Sequence, residues 1–412
     1  MLASFAILLA LLAPADQPAR GWVVAADGSG DFRTVQAAIA AVSAQNRERI
    51  VIQIKAGTYR EQVRIHQSYV TLRGEGREKT RIEANVDTSV CATTPEQSKE
   101  EQCATLIADG SDLVFENLTV ANTYHGDKGK GAALAIVGDA TRAIVAHVDI
   151  VGYGGDTLVL SARRTRLGDG GEYYLNDVYV SGTYHILVPR GTTYATGCRF
   201  WCLGGERICL FSEGITRESD KLVIRDSAID GPEPFGLGSY FRDTAWYFIH
   251  NTISDKLKAD GQIFRAPAQN YAMKWGEGRI YFAGNRAPDY PWLRDNLDQS
   301  PAKDAASVTA AWTLPDWNPE SMAPPVVRVV QRAGNTISIL FDESVTVQGE
   351  PRVKFASGDA AVFAGGSGTD TLLFHARRPG RPLSFDWNGG TILASGASLH
   401  RRDADAALPP SR

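Results

Sequence analysis

Five cysteines, seven histidines and a scatter of aspartates are the residues of this 412-residue chain best able to hold a metal, form a bridge or move a proton. The cysteines are Cys91, Cys103, Cys198, Cys202 and Cys209, and an odd count leaves at least one thiol outside any intrachain bridge. Cys91 and Cys103 bracket the polar loop CATTPEQSKEEQC and are the expected disulfide, with two of the other three as candidates for a second. Cys198 and Cys202 stand in CRFWC, without a second pair or a histidine at ligand spacing, so buried or bridged cysteine is the reading rather than zinc. Asp109, Asp112, Asp149 and Asp156 are too dispersed for a calcium loop. GDGGE at 168–172 lacks the context of a phosphate loop, and no Gly-x-Ser-x-Gly elbow presents a serine. His66, His125, His147 and His250 read as structural. No metal or cofactor is expected.

The elements that must position such residues are short, β-rich and repeated. FENLTV, VAHVDI, LNDVYV, ATGCRF, IRDSAI and IHNTIS carry Asn117, His147, Asp177, Gly197, Asp226 and Asn251 at their third positions. Those positions recur every 20 to 30 residues, a solenoid period with a variable loop in each turn. A single rung cannot bury its apolar face or pair its backbone, and stacked rungs supply both. Asn and Asp at the rung corners suit left-handed backbone. One helix is predicted over Phe32–Val42, with Val35, Ile39 and Val42 on one face, placed to cap the open end.

A net charge of −4 offers no field for nucleic acid, and no segment reaches the roughly 20 apolar residues of a membrane span. MLASFAILLALLAPA at 1–15 reads as a secretory signal peptide ending in a small-x-small site, so a secreted or periplasmic monomer is expected. TLPDWNPESMAPP at 313–325 reads as a linker between a coil over 22–312 and a second unit over 326–405. The second unit alternates apolar and polar residues between Gly-rich turns, the pattern of a small immunoglobulin-like β-sandwich.

VVAADGSGDFRTVQAAIAAV from Val23, AGTYRE at 56–61 and LIADGSDLVFENLTVAN resemble the pectin methylesterase (pectinesterase) family over about two thirds of the chain. The resemblance implies an all-β fold, a right-handed single-stranded parallel β-helix of the pectin lyase-like kind ahead of the β-sandwich. It also implies a carboxylic ester hydrolase acting on pectin or another acidic plant cell-wall polysaccharide, with two carboxylates in different protonation states.

The family's site motifs align here with substitutions. Asp156 keeps the acid/base position, beside Gly155 where the family has Gln; Lys130 replaces another Gln; His185 replaces the nucleophilic Asp; Ser239 replaces Arg; Phe241 replaces Trp. Three readings of the altered cleft stay open. In the first, an esterase uses His185 as base for water or serine, oriented by Asp156, with Lys130 at the oxyanion and Ser239, or else Ser212 or Glu213, as nucleophile. In the second, a polysaccharide-binding protein keeps the groove without the reaction. Tyr124, Tyr153, Trp201, Tyr240, Phe241 and Trp246 then offer flat faces, while Lys130 and Arg190 meet uronate carboxylates. The third, a calcium-dependent uronate lyase, lacks an acidic cluster. The substrate-binding set is Lys130, Arg190, Glu213, Ser239, Tyr240, Phe241 and Trp246.

Overall fold

The computed structural model describes residues 20–399 except 88–89, 92–102, 126–130, 139, 141, 163–169, 205–209, 213–216, 241, 267–271, 318, 322–326, 349–350, 368, 379, 381, 387–390 and 395–396. The signal-peptide reading and the calls on Lys130, Glu213 and Phe241 lie outside these residues.

Each turn of the chain contributes strands to three faces of a parallel β-helix, in the order A, B, C. Face A runs from Arg20–Val24 through Ile50–Ile54 and Glu172–Asn176 to Arg279–Ala283. Face B includes Gly57–Arg60, Thr80–Ala84, Tyr179–Gly182 and Arg199–Cys202. Face C is an eight-stranded sheet built from Val63–Ile65, Leu106–Ala108, Leu134–Gly138, Leu158–Ala162, Leu187–Arg190, Leu210–Ser212, Gly238–Tyr240 and Phe264–Arg265. The coil is right-handed, the sense in which parallel strands cross over.

Faces A and B join through Leu113–Asn122 and Arg142–Val151, which pass round the corner within one strand. They do so at left-handed residues: Asn117, His147, Asp177 and Asp226 have φ between 48° and 56°. These are four of the repeat positions legible in the sequence. In IHNTIS the left-handed residue is His250 (φ 53°), one before Asn251. Asn251 instead turns inward and donates to the Ile224 carbonyl at 2.8 Å, while its own Oδ1 accepts from Ser227 N at 3.0 Å.

Parallel register stacks like on like inside. Leu106, Leu134, Leu158, Leu187 and Leu210 pair in sequence across face C, and all lie in the main core. The helix closes the first coil but is shorter than predicted, Val35–Ala40, with Val35, Ile39 and Val42 buried as expected. Its N-terminal amides explain part of the Gly-Thr-Tyr-Arg-Glu signature: Val35 N and Gln36 N donate to Glu61 at 2.8 and 2.9 Å. Tyr59 is buried and donates to the Lys55 carbonyl at 3.0 Å.

The outer surface of face A carries Val114, Ile144, Tyr174, Tyr194, Val223, Tyr247 and Tyr281 in one register row. Such a row needs a cover, and Leu297, Val308, Ala310, Leu314 and Trp317 provide it. Arg225 donates to the carbonyls of Ala305 and Val308, both at 2.9 Å, tying the cover down. The linker expected over 313–325 therefore begins late, because Leu314 and Trp317 still pack on the coil. Burial under this cover pushes the Tyr194 and Tyr247 phenols up to about 12.

Beyond it, eight antiparallel strands bond into one connected sheet with a core of its own. Thr336–Gln348 changes partners along its length, pairing with Val327–Ala333 early and Thr391–Ala394 late. The strands of the unit expected as a β-sandwich are thus connected through that one long strand. Among the described residues no helix is long and apolar enough to cross a membrane.

Cys91 and Cys103 form the expected disulfide. Cys198 and Cys202 are free and buried, which removes the second bridge suggested for them. Both point into the core from one stretch of extended chain, where four residues separate their Cα atoms by roughly 13 Å, beyond disulfide reach. Burial raises the Cys198 thiol to about 12. At pH 8 it should resist alkylation in the native coil and react at once in denaturant, as counted by a thiol reagent. A second expectation concerns the cover: Leu314→Ala should cost about 2–5 kcal/mol, read as a lower denaturant midpoint.

Candidate active site

The corner between faces B and C carries loops of very uneven length. It spans 85–105 in the second coil, 123–133 in the third, 152–157 in the fourth and only 183–186 in the fifth. A depression lined by Arg60, Gln62, Glu83, Val86 and Thr123 opens along this corner on the earlier coils. Asp156 and His185 stand on the two adjacent short loops.

Their alignment is a product of register. Gly155 pairs with Tyr184 in an isolated parallel bridge, and Asp156 N donates to the Tyr184 carbonyl at 3.0 Å. Both residues are left-handed, with φ of 51° at Asp156 and 46° at His185, so both side chains leave the strand direction on the same side of the corner. His185 Nδ1 and Asp156 Oδ1 lie 3.0 Å apart. The side chains keep 15% and 24% of their surface exposed, so the pair is sheltered yet reachable. Engaging Nδ1 with the carboxylate turns Nε2, on the far side of the ring, away from Asp156. The Tyr184 ring lies against the imidazole at a centroid distance of 3.7 Å.

Close approach of the coils beneath the pair requires glycine at Gly182, where a Cβ would fall 2.2 Å from Thr157 Oγ1. Thr183 then locks the neighbouring loop: its Oγ1 donates to the Tyr153 carbonyl at 3.0 Å and its N–H to the Gly154 carbonyl at 3.2 Å. Tyr153 is 39% exposed and stacks on exposed His125 at 3.8 Å.

The remaining sequence candidates do not gather here. Ser239 is 1% exposed and pairs with Phe211 and Phe264 on face C. It stands two coils beyond His185, roughly 10 Å across the stack before any offset along the strands is added. That separation removes it as a serine activated by His185. Trp246, 1% exposed, belongs to the interior core and cannot meet a polymer. Tyr240 is closed off as well, and burial raises its phenol. Arg190 donates to Ser161 Oγ at 2.7 Å across adjacent strands of face C, five residues along the chain from His185. Trp201 lies under the Arg199 guanidinium, 4.7 Å from the ring centroid. Among the described residues no three His, Cys, Asp or Glu converge as a metal site. His125, Thr183 and Tyr184 were missed because loop residues at a corner follow no period.

The Pectinesterase family profile matches residues 21–199, a span that includes both members of the pair. Over that span the chain is similar to the pectinesterase family. It is 24% identical over 307 residues to Pectinesterase 2 of Olea europaea, covering 70% of this chain and 79% of that one. A Daucus carota pectinesterase is 30% identical over 214 residues, or 50% of this chain and 62% of its own. In fold the chain is similar to the pectin methylesterase of Erwinia chrysanthemi, with a TM-score of 0.55 at 19% identity over 74% of this chain and 99% of that one. Within this pectinesterase-like coil, His185 and Asp156 fill neighbouring stations at one corner.

Left-handed backbone at His185 makes its backbone tolerance separable from its chemistry. His185→Gly should stay within about 1 kcal/mol of the parent, whereas His185→Val, β-branched at positive φ, should lose about 1–3 kcal/mol. Paired denaturation curves measure the difference.

Proposed function

We propose that the chain is an exported carbohydrate esterase that removes ester groups from pectin or a related acidic cell-wall polysaccharide, using water activated at His185. The observation that carries this reading is the 3.0 Å contact between His185 Nδ1 and Asp156 Oδ1 in a partly open corner of a pectinesterase-like coil. Asp156 fixes the imidazole tautomer with Nδ1 protonated, leaving Nε2 as the basic nitrogen. Nε2 takes a proton from water as the water oxygen bonds to the ester carbonyl carbon, and the carbonyl electrons move onto oxygen. The tetrahedral intermediate then collapses: the carbonyl re-forms, the C–O bond to the alcohol breaks, and imidazolium returns its proton to the leaving alkoxide. The products are a carboxylic acid, which ionises, and an alcohol. Through both steps the Asp156 carboxylate stabilises the positive ring. Lys130 is assigned to the developing oxyanion from the sequence alone, where a cation would supply what the family's Gln supplies by hydrogen bonding.

This assignment departs from the two-carboxylate scheme of the family because position 185 carries an imidazole. It also dispenses with a serine nucleophile, which the place of Ser239 supports.

A second reading, in which the coil binds polysaccharide without turning it over, is favoured by a specific observation. His–Asp contacts join coils elsewhere: His66 to Asp109 and His147 to Asp177, each at 2.8 Å, and His250 to Asp226 at 3.7 Å. A pair of this kind can therefore serve as a staple. Those three sit at the other two corners; only His185–Asp156 stands at the B–C corner among aromatic rings.

Release of methanol and acetate from methylated pectin, acetylated pectin and other substituted glycans separates the two. Asp156→Ala and His185→Ala should each lower turnover by at least about 100-fold while the far-ultraviolet spectrum of the coil is kept. No release from any ester by the parent protein, with polymer still bound, decides for the second reading.

A further inference from the structure

We propose that the stacked rings of His125 and Tyr153 form a sugar-binding platform for the pyranose unit adjoining the one held at Asp156 and His185. The assignment rests on the esterase reading for what the dyad holds, and moves ring stacking to the early-coil side of the dyad. On the later-coil side, the sequence-based candidates Tyr240 and Trp246 are closed from solvent.

Three properties of the pair point this way. Tyr153 is among only four large apolar side chains that stand exposed among the described residues, and it is the one beside the dyad, three residues before Asp156. Single exposed rings are common on protein surfaces, but this one stands at the rim of the corner that holds the dyad, where it can meet a sugar. Next, the two rings come from successive corner loops and are stacked face to face, 3.8 Å apart at 26°, so each braces the other in a stack already assembled in the free protein. Assembly in advance spares the ordering cost that a lone mobile ring would incur on binding. Last, the platform is tied to the reaction site. The Tyr153 carbonyl accepts from Thr183 Oγ1, and Gly152 N donates to the Ser181 carbonyl at 2.9 Å, in the strand and loop that lead to Tyr184 and His185. One coil of spacing, ~4.8 Å, separates the loops, comparable with the length of a single pyranose unit.

Sugar rings present C–H bonds on one face and hydroxyls at the edge, so a flat ring takes the C–H face while Tyr153 and His125 offer polar edges to hydroxyls. The platform should therefore accept both free and esterified uronosyl units, with discrimination for the ester left to the dyad.

The test is titration calorimetry of the full chain with unesterified polygalacturonate and with highly methylated pectin, alongside initial rates on the latter. Tyr153→Ala should weaken both affinities by about tenfold or more and raise KM on methylated pectin in proportion, with kcat changed by less than about threefold; Tyr153→Phe should restore both. His125→Ala, an exposed substitution, should weaken binding in the same direction and decides the matter if Tyr153→Ala does not fold. Parent-like affinity and KM in the alanine variants would overturn the platform while leaving the esterase reading intact. Loss of affinity in the alanine variants, when the parent protein binds polymer but releases no methanol or acetate, would keep the platform and remove the esterase. A parent protein that binds neither polymer overturns the platform outright.

Discussion

Strands of a parallel coil can bond to their neighbours only in register, and every side chain in the cleft owes its position to that constraint. Equivalent positions of successive coils are stacked ~4.8 Å apart, so residues 29 places apart in the chain become immediate neighbours. Inside, this yields a leucine column; outside face A, a column of tyrosines; at a corner, whatever the loops carry. The Asp156–His185 contact is one more product of the same stacking, differing from the leucines only in facing water. Its strength as a chemical unit comes from the rigidity of the coil, since neither residue has a regular element beneath it.

Corners are where the regular hydrogen bonding stops, and left-handed residues are the means by which the chain turns there. Residues that tolerate positive φ are the small polar ones, together with some histidines. A coil that must turn at each corner therefore accumulates Asp, Asn and His at places that stack. Contacts between His and Asp on adjacent coils follow almost automatically, as at His147 and Asp177. Chemistry in such a fold needs little more than one of these ready-made pairs placed where loops leave it open and rings can hold a substrate. His185 fits that economy: a left-handed corner position that accepts histidine sets a basic side chain against Asp156.

The apolar surfaces explain the rest of the architecture. The coil's interior is shut at its first end by the short helix, whose amides are held by Glu61. Its face A is shut by the segment running to Trp317, so that the chain between coil and second unit is partly a structural cover. On face C the outward row of Ile107, Ala135, Val159 and Val188 is itself buried, as a small cluster of its own.

Periodicity was readable because burial imposes it: the rung spacing, the capping helix, the polar corners and the Cys91–Cys103 loop all follow from patterns that a coil must repeat. The neighbourhood of Asp156 and His185 was also legible, through motifs whose flanking residues set the register. The sequence could not say which aromatics face water, since in a coil that depends on one-residue phase at each corner. So Trp246 fell inside and Ser239 landed two coils away, while His125, in a loop without period, came to lie on Tyr153. Composition and repeat determined the cylinder; the turn taken at each left-handed corner, a matter of tertiary register, decided which side chains meet on its outside.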